Sequence, residues 1–203
     1  MHQLIDPHIE KVLQDTIFPD LLKGRKDFDL PHTKAVVHWM KELLTSLSNV
    51  KLDSQVLITA AYAHDWGYIG LFDGINSNDP KEIAKKKPLH MEKGAEFITN
   101  LIETKLSNYF TDEQKKQAAH LVFMHDRVEK LHTEEEKLIM EADTLGMLDS
   151  DRAAPTFSKE DNARFIERDV KARRIPKFMH SQAKEIAERL ITKREHYFDS
   201  KVD

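Results

Sequence analysis

Two His-Asp pairs stand out among the residues whose types could do chemistry. One pair lies in AAYAHDWGYIG, residues 60–70, and the other lies in LVFMHDRVEKL, residues 121–131. Imidazole nitrogens and carboxylate oxygens are suitable ligands for iron, manganese, zinc or nickel, so each pair is a candidate metal site. A dipeptide alone is weak evidence, and the faces on which the other histidines and aspartates lie must decide.

Several of these residues fall on the apolar faces of predicted helices. Residues three and four positions apart share a helix face, and by this spacing four polar residues align with apolar neighbours: His32, His64, His125 and Asp143. His90 is predicted to begin a helix just after KKKP, on the side of Gly94 and Phe97. The inward-facing histidines therefore come from separate helices.

Buried carboxylates give the reason to expect a cation. A buried aspartate costs several kcal/mol unless it is paired, hydrogen-bonded or bound to a metal. Asp143 lies among apolar residues and Asp65 ends the most hydrophobic helix, so one shared metal centre would satisfy both. Taken singly, His32 and His90 also suit helix starts or the surface, and His125 or Asp143 also suits a hydrogen bond within the core.

Helical periodicity dominates the segments that must position these residues. The predicted helices are HIEKVLQDTIFPDLL, PHTKAVVHWMKELLTSL, SQVLITAAYAHDW, HMEKGAEFITNLIETKL and SQAKEIAERLITKREHYF, with two more starting at capping boxes. Asp53 is a predicted N-cap, and the capping boxes pair Thr111 with Gln114 and Thr133 with Glu136. GYIGLFDGINSNDP and APTFSKEDNARF are predicted polar joints. The sequence therefore predicts an all-α fold in which residues 1–203 form a single domain.

Composition excludes several classes of protein. The 203 residues are 40% hydrophobic and 33% charged, with a net charge of −4, six glycines and no cysteine. Disulfides, thiolate nucleophiles and zinc-cysteine sites are thereby excluded. The acidic balance argues against nucleic-acid binding, and no apolar run approaches the roughly 18 residues of a membrane span. We expect a cytoplasmic protein without a signal peptide.

The order His32, then His64-Asp65, then Asp143 resembles the H…HD…D signature of the HD-domain metal-dependent phosphohydrolases. ITAAYAHDWGYIG resembles the family's apolar helix that ends in HD, and LIMEADTLGMLDSD resembles its later helix carrying AD. The resemblance covers about residues 28–150 and implies a helical bundle of HD-domain type, with helical extensions at both ends.

One subset of this superfamily adds two histidines and binds two metals. HMEKGAEFI and LVFMHD resemble its additional segments, which implies a dinuclear centre held by His32, His64, Asp65, His90, His125 and Asp143. On this interpretation Asp65 bridges the ions, and His64 and Asp65 are the catalytic pair. The ions are divalent: iron or manganese, with magnesium, nickel and zinc as alternatives. His120 competes with His125, whose neighbours are more apolar.

The sequence also departs from the family pattern. Many members with a hydrolytic HD pair follow it with glycine and then lysine, whereas this chain has HDWGYIG. The run Lys85-Lys86-Lys87 is a candidate replacement for binding phosphate, although a solvated face is the simpler interpretation. A second basic cluster is also expected on a solvated face: Lys171, Arg173, Arg174 and Lys177. Asp126, turned about 100° from His125 along the helix, is expected to face Arg127, Lys130 or solvent.

The resemblance implies hydrolysis of a phosphomonoester or phosphodiester by metal-activated hydroxide. The expected partner is a small phosphorylated molecule, with a nucleotide favoured; no sequence feature defines the substrate or the oligomeric state. Two alternatives remain open. One is a diiron oxygenase of the same superfamily, which shares the ligand set, and the other is a non-catalytic nucleotide-binding module.

Overall fold

The computed structural model of the protein describes residues 3–25, 27–47 and 51–199, and every regular element within these ranges is helical. Eight α-helices follow in chain order: α1 Pro7–Leu21, α2 Asp29–Ser46, α3 Ser54–Ala63, α4 Pro80–Lys105, α5 Asp112–Met124, α6 Glu134–Leu148, α7 Lys159–Arg164 and α8 Ser181–Glu195. The predicted all-α fold is confirmed. The single domain over residues 1–203 stays a prediction, and it includes residues outside the described ranges.

Shorter helical segments join these helices. Three are single 3₁₀ turns, at Trp66–Tyr68, Val128–Lys130 and Ile175–Lys177, and one is a π-helical segment that continues α7 over Phe165–Arg174. The prediction that residues 154–165 form a polar joint was wrong in its second half. The hydroxyl of Ser158 accepts a hydrogen bond from the backbone N–H of Asp161 at 3.1 Å, which caps α7 and starts it inside that stretch.

The predicted helix starts at Asp53, Thr111 and Thr133 are confirmed. Asp53 accepts a hydrogen bond from the backbone N–H of Val56 at 3.1 Å. Thr111 and Thr133 each begin a capping box, in which the side chain three residues later bonds back to the N-cap backbone. These local bonds satisfy amide groups that have no partner within the helix.

The helix that carries His90 starts ten residues earlier than predicted. It begins at Pro80, where Asp79 accepts a hydrogen bond from the Lys81 backbone N–H at 2.8 Å. An aspartate N-cap followed by proline at the first helical position is a strong helix start. Pro88 lies inside α4 and does not end it, so His90 occupies the middle of the helix.

Helix α3 forms the centre of the core. Its residues from Val56 to Ala63 are all buried, and it packs against α2 and α5. Helix α2 packs on α6, α4 packs on α5, and α8 covers the other side of α6. This arrangement brings the C-terminal end of α3, which carries His64 and Asp65, between the other helices that bear the predicted site residues. Within the described residues, the helices all lack the length and apolarity that crossing a membrane requires.

Gly67 allows the 3₁₀ turn after Asp65 to lie directly against α4. A Cβ atom at this position would come within 1.9 Å of the His90 carbonyl oxygen and 2.6 Å of the Gly94 backbone nitrogen. We therefore expect Gly67→Ala to destabilise the fold by about 1–3 kcal/mol, as overpacking against backbone does. The free energy of unfolding in urea, monitored by circular dichroism, measures this effect. Asp73→Ala, at an exposed loop position, is the comparison, because Gly74 has a φ of 72° that alanine rarely adopts. A Gly67→Ala protein as stable as wild type would contradict the packing described.

Candidate metal centre

All six predicted ligands converge in the interior, none of them more than 5% exposed. They come from five helices or their ends: His32 in the first turn of α2, His64 as the C-cap of α3, Asp65 directly after it, His90 in α4, His125 as the C-cap of α5, and Asp143 in α6. Their ligand atoms form two groups that could each hold a metal ion. We call the group of His32, His64 and Asp143 cluster A, and the group of Asp65, His90 and His125 cluster B.

Cluster A is closely packed. The Nε2 atom of His32 lies 3.1 Å from both the Nε2 atom of His64 and the Oδ1 atom of Asp143. The distance from His64 Nε2 to Asp143 Oδ1 is 3.7 Å. Three ligand atoms therefore surround one small volume.

Cluster B is also closely packed, and its Asp65 lies next to cluster A. The Nε2 atoms of His90 and His125 are 3.3 Å apart, and they lie 3.5 Å and 3.7 Å from Asp65 Oδ1. The other oxygen of this carboxylate, Oδ2, lies 3.6 Å from His32 Nε2 and 3.5 Å from His64 Nε2. Each oxygen of Asp65 thus faces a different cluster.

Hydrogen bonds of two of the histidines indicate which nitrogen carries the proton. His64 Nδ1 lies 2.8 Å from the Ala61 carbonyl oxygen, and His125 Nδ1 lies 2.7 Å from that of Val122. A carbonyl only accepts, so both Nδ1 atoms donate, and in the neutral imidazoles Nε2 keeps a lone pair. Those lone pairs point into clusters A and B, which is the tautomer of a metal-binding histidine.

The other two histidines are positioned by ring stacking. His32 stacks on Phe28 with ring centroids 4.9 Å apart, and His90 stacks on Tyr68 at 4.0 Å with an angle of 6° between the planes. The Nδ1 atoms of His32 and His90 are buried and have no hydrogen-bond partner among the described residues. Rings that are held this firmly while their Nε2 atoms converge on carboxylates fit a cation site.

Burial and charge set the protonation states in both clusters. Burial lowers the pKa of His64 to about 4 and that of His90 to about 3, so both rings are neutral at pH 7. Burial also opposes ionisation of Asp65 and Asp143, but nearby histidines and an arginine beside each carboxylate outweigh it and hold both pKa values well below the usual range. For His125, burial is outweighed by Asp65 and other carboxylates, which raise its pKa. The neutral imidazoles of His64 and His90 beside ionised carboxylates form a donor set suited to divalent cations.

Arg25 contacts Asp65 from the side of the cavity. Its Nη2 atom donates to Asp65 Oδ2 at 2.5 Å, and its Nε atom donates to Asp29 Oδ1 at 2.5 Å. The guanidinium carbon lies 4.7 Å from the centroid of the Phe28 ring and 4.2 Å from that of the Tyr68 ring. These contacts hold Arg25 in one orientation.

Arg174 contacts the carboxylate of Asp143, as Arg25 contacts that of Asp65. The prediction that Arg174 lies on a solvated face was wrong. It is 1% exposed and donates to Asp143 Oδ2 at 2.8 Å, to Asp126 Oδ1 at 2.5 Å and to Asp169 Oδ2 at 3.0 Å. The other three members of its cluster are at least partly exposed: Lys171, Arg173 and Lys177. The π-helical segment turns Arg174 inward, away from the faces that a 3.6-residue period predicts.

The expectation that Asp126 faces Arg127, Lys130 or solvent was also wrong. Asp126 is 9% exposed and contacts Lys87 Nζ at 2.7 Å as well as Arg174. Burial opposes its ionisation, but Lys87 and Arg174 outweigh it and lower the pKa of Asp126 to about 2. Asp126 therefore belongs to the wall of the site, although it is not a member of either cluster.

Of the remaining candidate residues, Lys87 lines the cavity, whereas His120, Lys85 and Lys86 do not. His120 has a side chain 53% exposed and lies 2.7 Å from Glu136 Oε1, outside both clusters. Lys85 is exposed and pairs with Glu82 at 2.5 Å, and Lys86 is partly exposed and does not line the cavity. Lys87 does line it.

A cavity of about 300 Å³ opens onto both clusters. Near the clusters it is lined by charged and aromatic residues: Arg25, Phe28, His32, Asp65, Tyr68, Lys87, His125, Asp126, Asp143 and Arg174. Its other wall comes from the chain after α6, including Thr156, Phe157 and residues of α7 and the π-helical segment. A space of this size accommodates a small organic molecule beside the clusters.

Comparison with known proteins defines the family. The family model of the HD domain matches residues 30–148, more than half of the 203 residues. The chain therefore belongs to the HD-domain family. The chain is also similar in fold to the 1.45 Å crystal structure of a predicted HD superfamily hydrolase from an uncultured Thermotogales bacterium. The two are 20% identical with a TM-score of 0.58, over 96% of this chain and 91% of the other. A search of curated proteins gave no match.

Sequence reasoning missed Arg25 and the role of Arg174. Both lie outside the family match at residues 30–148, and both reach the site through contacts distant in sequence. Arg25 is separated from Asp65 by 40 positions and Arg174 from Asp143 by 31. Helical periodicity relates residues within one helix, so it gives no signal for such contacts.

Proposed function

We propose that this protein is a metal-dependent phosphohydrolase that holds two divalent cations, one in cluster A and one in cluster B. The observation that carries the proposal is the position of Asp65, whose two oxygens face different clusters at 3.5–3.7 Å. A carboxylate placed in this way is suited to bridging two ions. Membership of the HD-domain family and the neighbouring hydrolase fold support the same proposal.

Bound cations would supply positive charge for phosphate oxygens and lower the pKa of a coordinated water towards 7. The contribution of the protein is to fix the positions of the ligand atoms. His64 and His125 are held by backbone carbonyls, and His32 and His90 are held by stacked rings. Such rigid placement lets the site hold charge without reorganising during the reaction.

The residues around the clusters are suited to an anionic substrate. Arg25 lines the cavity beside Asp65, and two of its nitrogens are held by Asp29 and Asp65. Among the residues that the structure describes, its Nη1 atom has no hydrogen-bond partner, and we assign this atom to a phosphate oxygen of the substrate. Lys87 lies on the same cavity, and it is the member of the lysine run that we keep as a phosphate contact. A nucleotide is the substrate we favour, since the cavity beside the clusters accommodates a small organic molecule.

The proposal is tested by assaying phosphate and nucleotide release from a panel of nucleotides and from bis(p-nitrophenyl) phosphate. The metal-free protein is loaded with Mn²⁺ under argon and assayed with and without dioxygen. We expect Mn²⁺-dependent hydrolysis that dioxygen does not change. Consumption of dioxygen by the iron-loaded protein, without hydrolysis, would instead support the diiron oxygenase, and nucleotide binding without turnover would support a binding module.

A further inference from the structure

The part of the cavity wall that is formed by the chain after α6 carries arginines that its carboxylates do not neutralise. Three arginines and two aspartates line this part: Arg164, Arg168, Arg194, Asp161 and Asp169. Asp161 pairs with Arg164, and Asp169 pairs with Arg173 and Arg174. Both carboxylates are therefore committed to other cations, and Arg168 and Arg194 have no ion pair among the residues that the structure describes.

Arg194 is the more unusual of the two because it is 2% exposed. Its Nε atom donates to Asn162 Oδ1 at 2.7 Å, and its Nη1 atom donates to the Met147 carbonyl oxygen. Its guanidinium carbon lies 5.4 Å from the centroid of the Phe165 ring. These are neutral partners, and within residues 3–25, 27–47 and 51–199 no hydrogen bond is described for Nη2. Burial lowers the pKa of Arg194 to about 10, and Tyr197 opposes this shift only in part.

Arg168 places a second positive charge on the same wall. It belongs to the π-helical segment, is exposed and lines the cavity. A buried guanidinium and an exposed one on a common cavity, without carboxylate partners among the described residues, form a site for an anion.

The position of this site relative to the clusters follows from α6. Met147, whose carbonyl accepts from Arg194, lies four residues after Asp143 on the same helix. Four residues correspond to a rise of about 6 Å, or roughly one turn. Both residues line the cavity, so one molecule inside it can reach cluster A and Arg194 together.

We propose that Arg168 and Arg194 form a second anion-binding subsite, which receives a phosphate or carboxylate group of the substrate distinct from the phosphate that reacts at clusters A and B. This inference rests on the proposed function for its reacting phosphate and narrows the substrate class. The substrates are phosphorylated compounds with a second anionic group about one helix turn from the first.

Binding to the metal-free protein tests the subsite independently of hydrolysis. Inorganic phosphate is titrated into protein treated with a chelator, at constant ionic strength, and the Kd is measured by calorimetry. Acetate is titrated in a second series, to distinguish a phosphate subsite from a carboxylate subsite. We expect at least one of these anions to bind, and Arg168→Gln to raise its Kd by about fivefold or more. Arg189→Gln is the matched control, because it removes the same charge from an exposed position on α8, away from the cavity.

Arg194→Gln is expected to raise the same Kd, with circular dichroism confirming that the variant is folded. If that variant does not fold, Arg168→Gln decides alone. Absence of binding by wild-type protein would overturn the proposal, as would equal Kd values for Arg168→Gln and Arg189→Gln. Because no turnover is required, a failed subsite is distinguishable from a failed hydrolase proposal.

When turnover is measured, the subsite predicts different effects of Arg168→Gln on substrates with one and with two anionic groups. Arg168→Gln should raise the KM of a substrate with two anionic groups by about fivefold or more and leave the KM of p-nitrophenyl phosphate within about twofold. Equal changes for both substrates would place Arg168 at the reacting phosphate and contradict a separate subsite.

Discussion

Replacing Asp65 with asparagine is expected to abolish hydrolysis, with kcat/KM lower by about 10³-fold, or roughly 4 kcal/mol of transition-state stabilisation. The amide keeps the shape of the carboxylate but loses its negative charge and one of the two oxygens that face clusters A and B. The carbonyl oxygen that remains can face only one of them. We therefore expect the variant to lose metal as well as activity.

The comparison for this variant is Asp73→Asn, which removes the same charge from an exposed loop position. Both variants are assayed with Mn²⁺ on the best substrate of the panel, and their metal content is measured after gel filtration. Asp73→Asn should match wild type in both. Wild-type activity in Asp65→Asn would exclude the proposed role of this residue in the metal centre.

Replacing Arg174 with methionine is expected to destabilise the metal-free protein by about 3–5 kcal/mol, as loss of one partner from a buried ion pair does. Methionine retains most of the aliphatic stem, so the change mainly removes the guanidinium. That group contacts Asp143, Asp126 and Asp169, which would be left facing one another without it. The free energy of unfolding in urea measures the effect.

Lys177→Met is the matched control, because its side chain is 45% exposed and its partner Glu129 is 59% exposed. A surface substitution of this kind changes stability by about 0.5 kcal/mol or less. If Arg174→Met is no more destabilising than Lys177→Met, the ion pairs of Arg174 with the three aspartates do not stabilise the fold as proposed. Mn²⁺ should restore part of the lost stability, since a cation beside Asp143 replaces some of the missing charge.

Local patterns in the sequence were sufficient for much of the fold. The capping boxes at Thr111 and Thr133 and the N-cap at Asp53 depend on bonds within four residues, and such bonds are visible in a sequence. The apolar stripes likewise identified inward-facing residues on separate helices. The structure brings all six predicted ligands together, although metal binding by them remains a proposal.

The errors came where the local pattern is not decisive. Pro88 suggested a helix start at His90, but the stronger signal was the Asp79-Pro80 pair ten positions earlier. Arg174 is the last residue of the π-helical segment, whose hydrogen bonds span five residues, so faces assigned from a period of 3.6 residues do not apply there. Asp126 is not a ligand of either cluster, but it pairs with Lys87 and Arg174 and does not face Arg127, Lys130 or solvent as predicted.

The surroundings of Tyr68 could not be predicted from the sequence, for a different reason. Its position after HDWG indicated only that a lysine was missing, and the sequence did not show that an arginine from before α2 would lie against its ring. Arg25 reaches Tyr68 and Asp65 because α1 and α2 fold around the end of α3. Contacts of this kind depend on the packing of several helices and require the three-dimensional structure.

The number of metal ions per chain tests the central claim most directly. Protein purified anaerobically and reloaded with Mn²⁺ is separated from free metal and analysed by mass spectrometry for metal content. We predict about two ions per chain for wild type and for His120→Ala, and about one for His125→Ala, which removes a ligand of cluster B only. One ion or fewer in wild type, or equal metal content in His125→Ala and wild type, would contradict a centre of two metals bridged by Asp65.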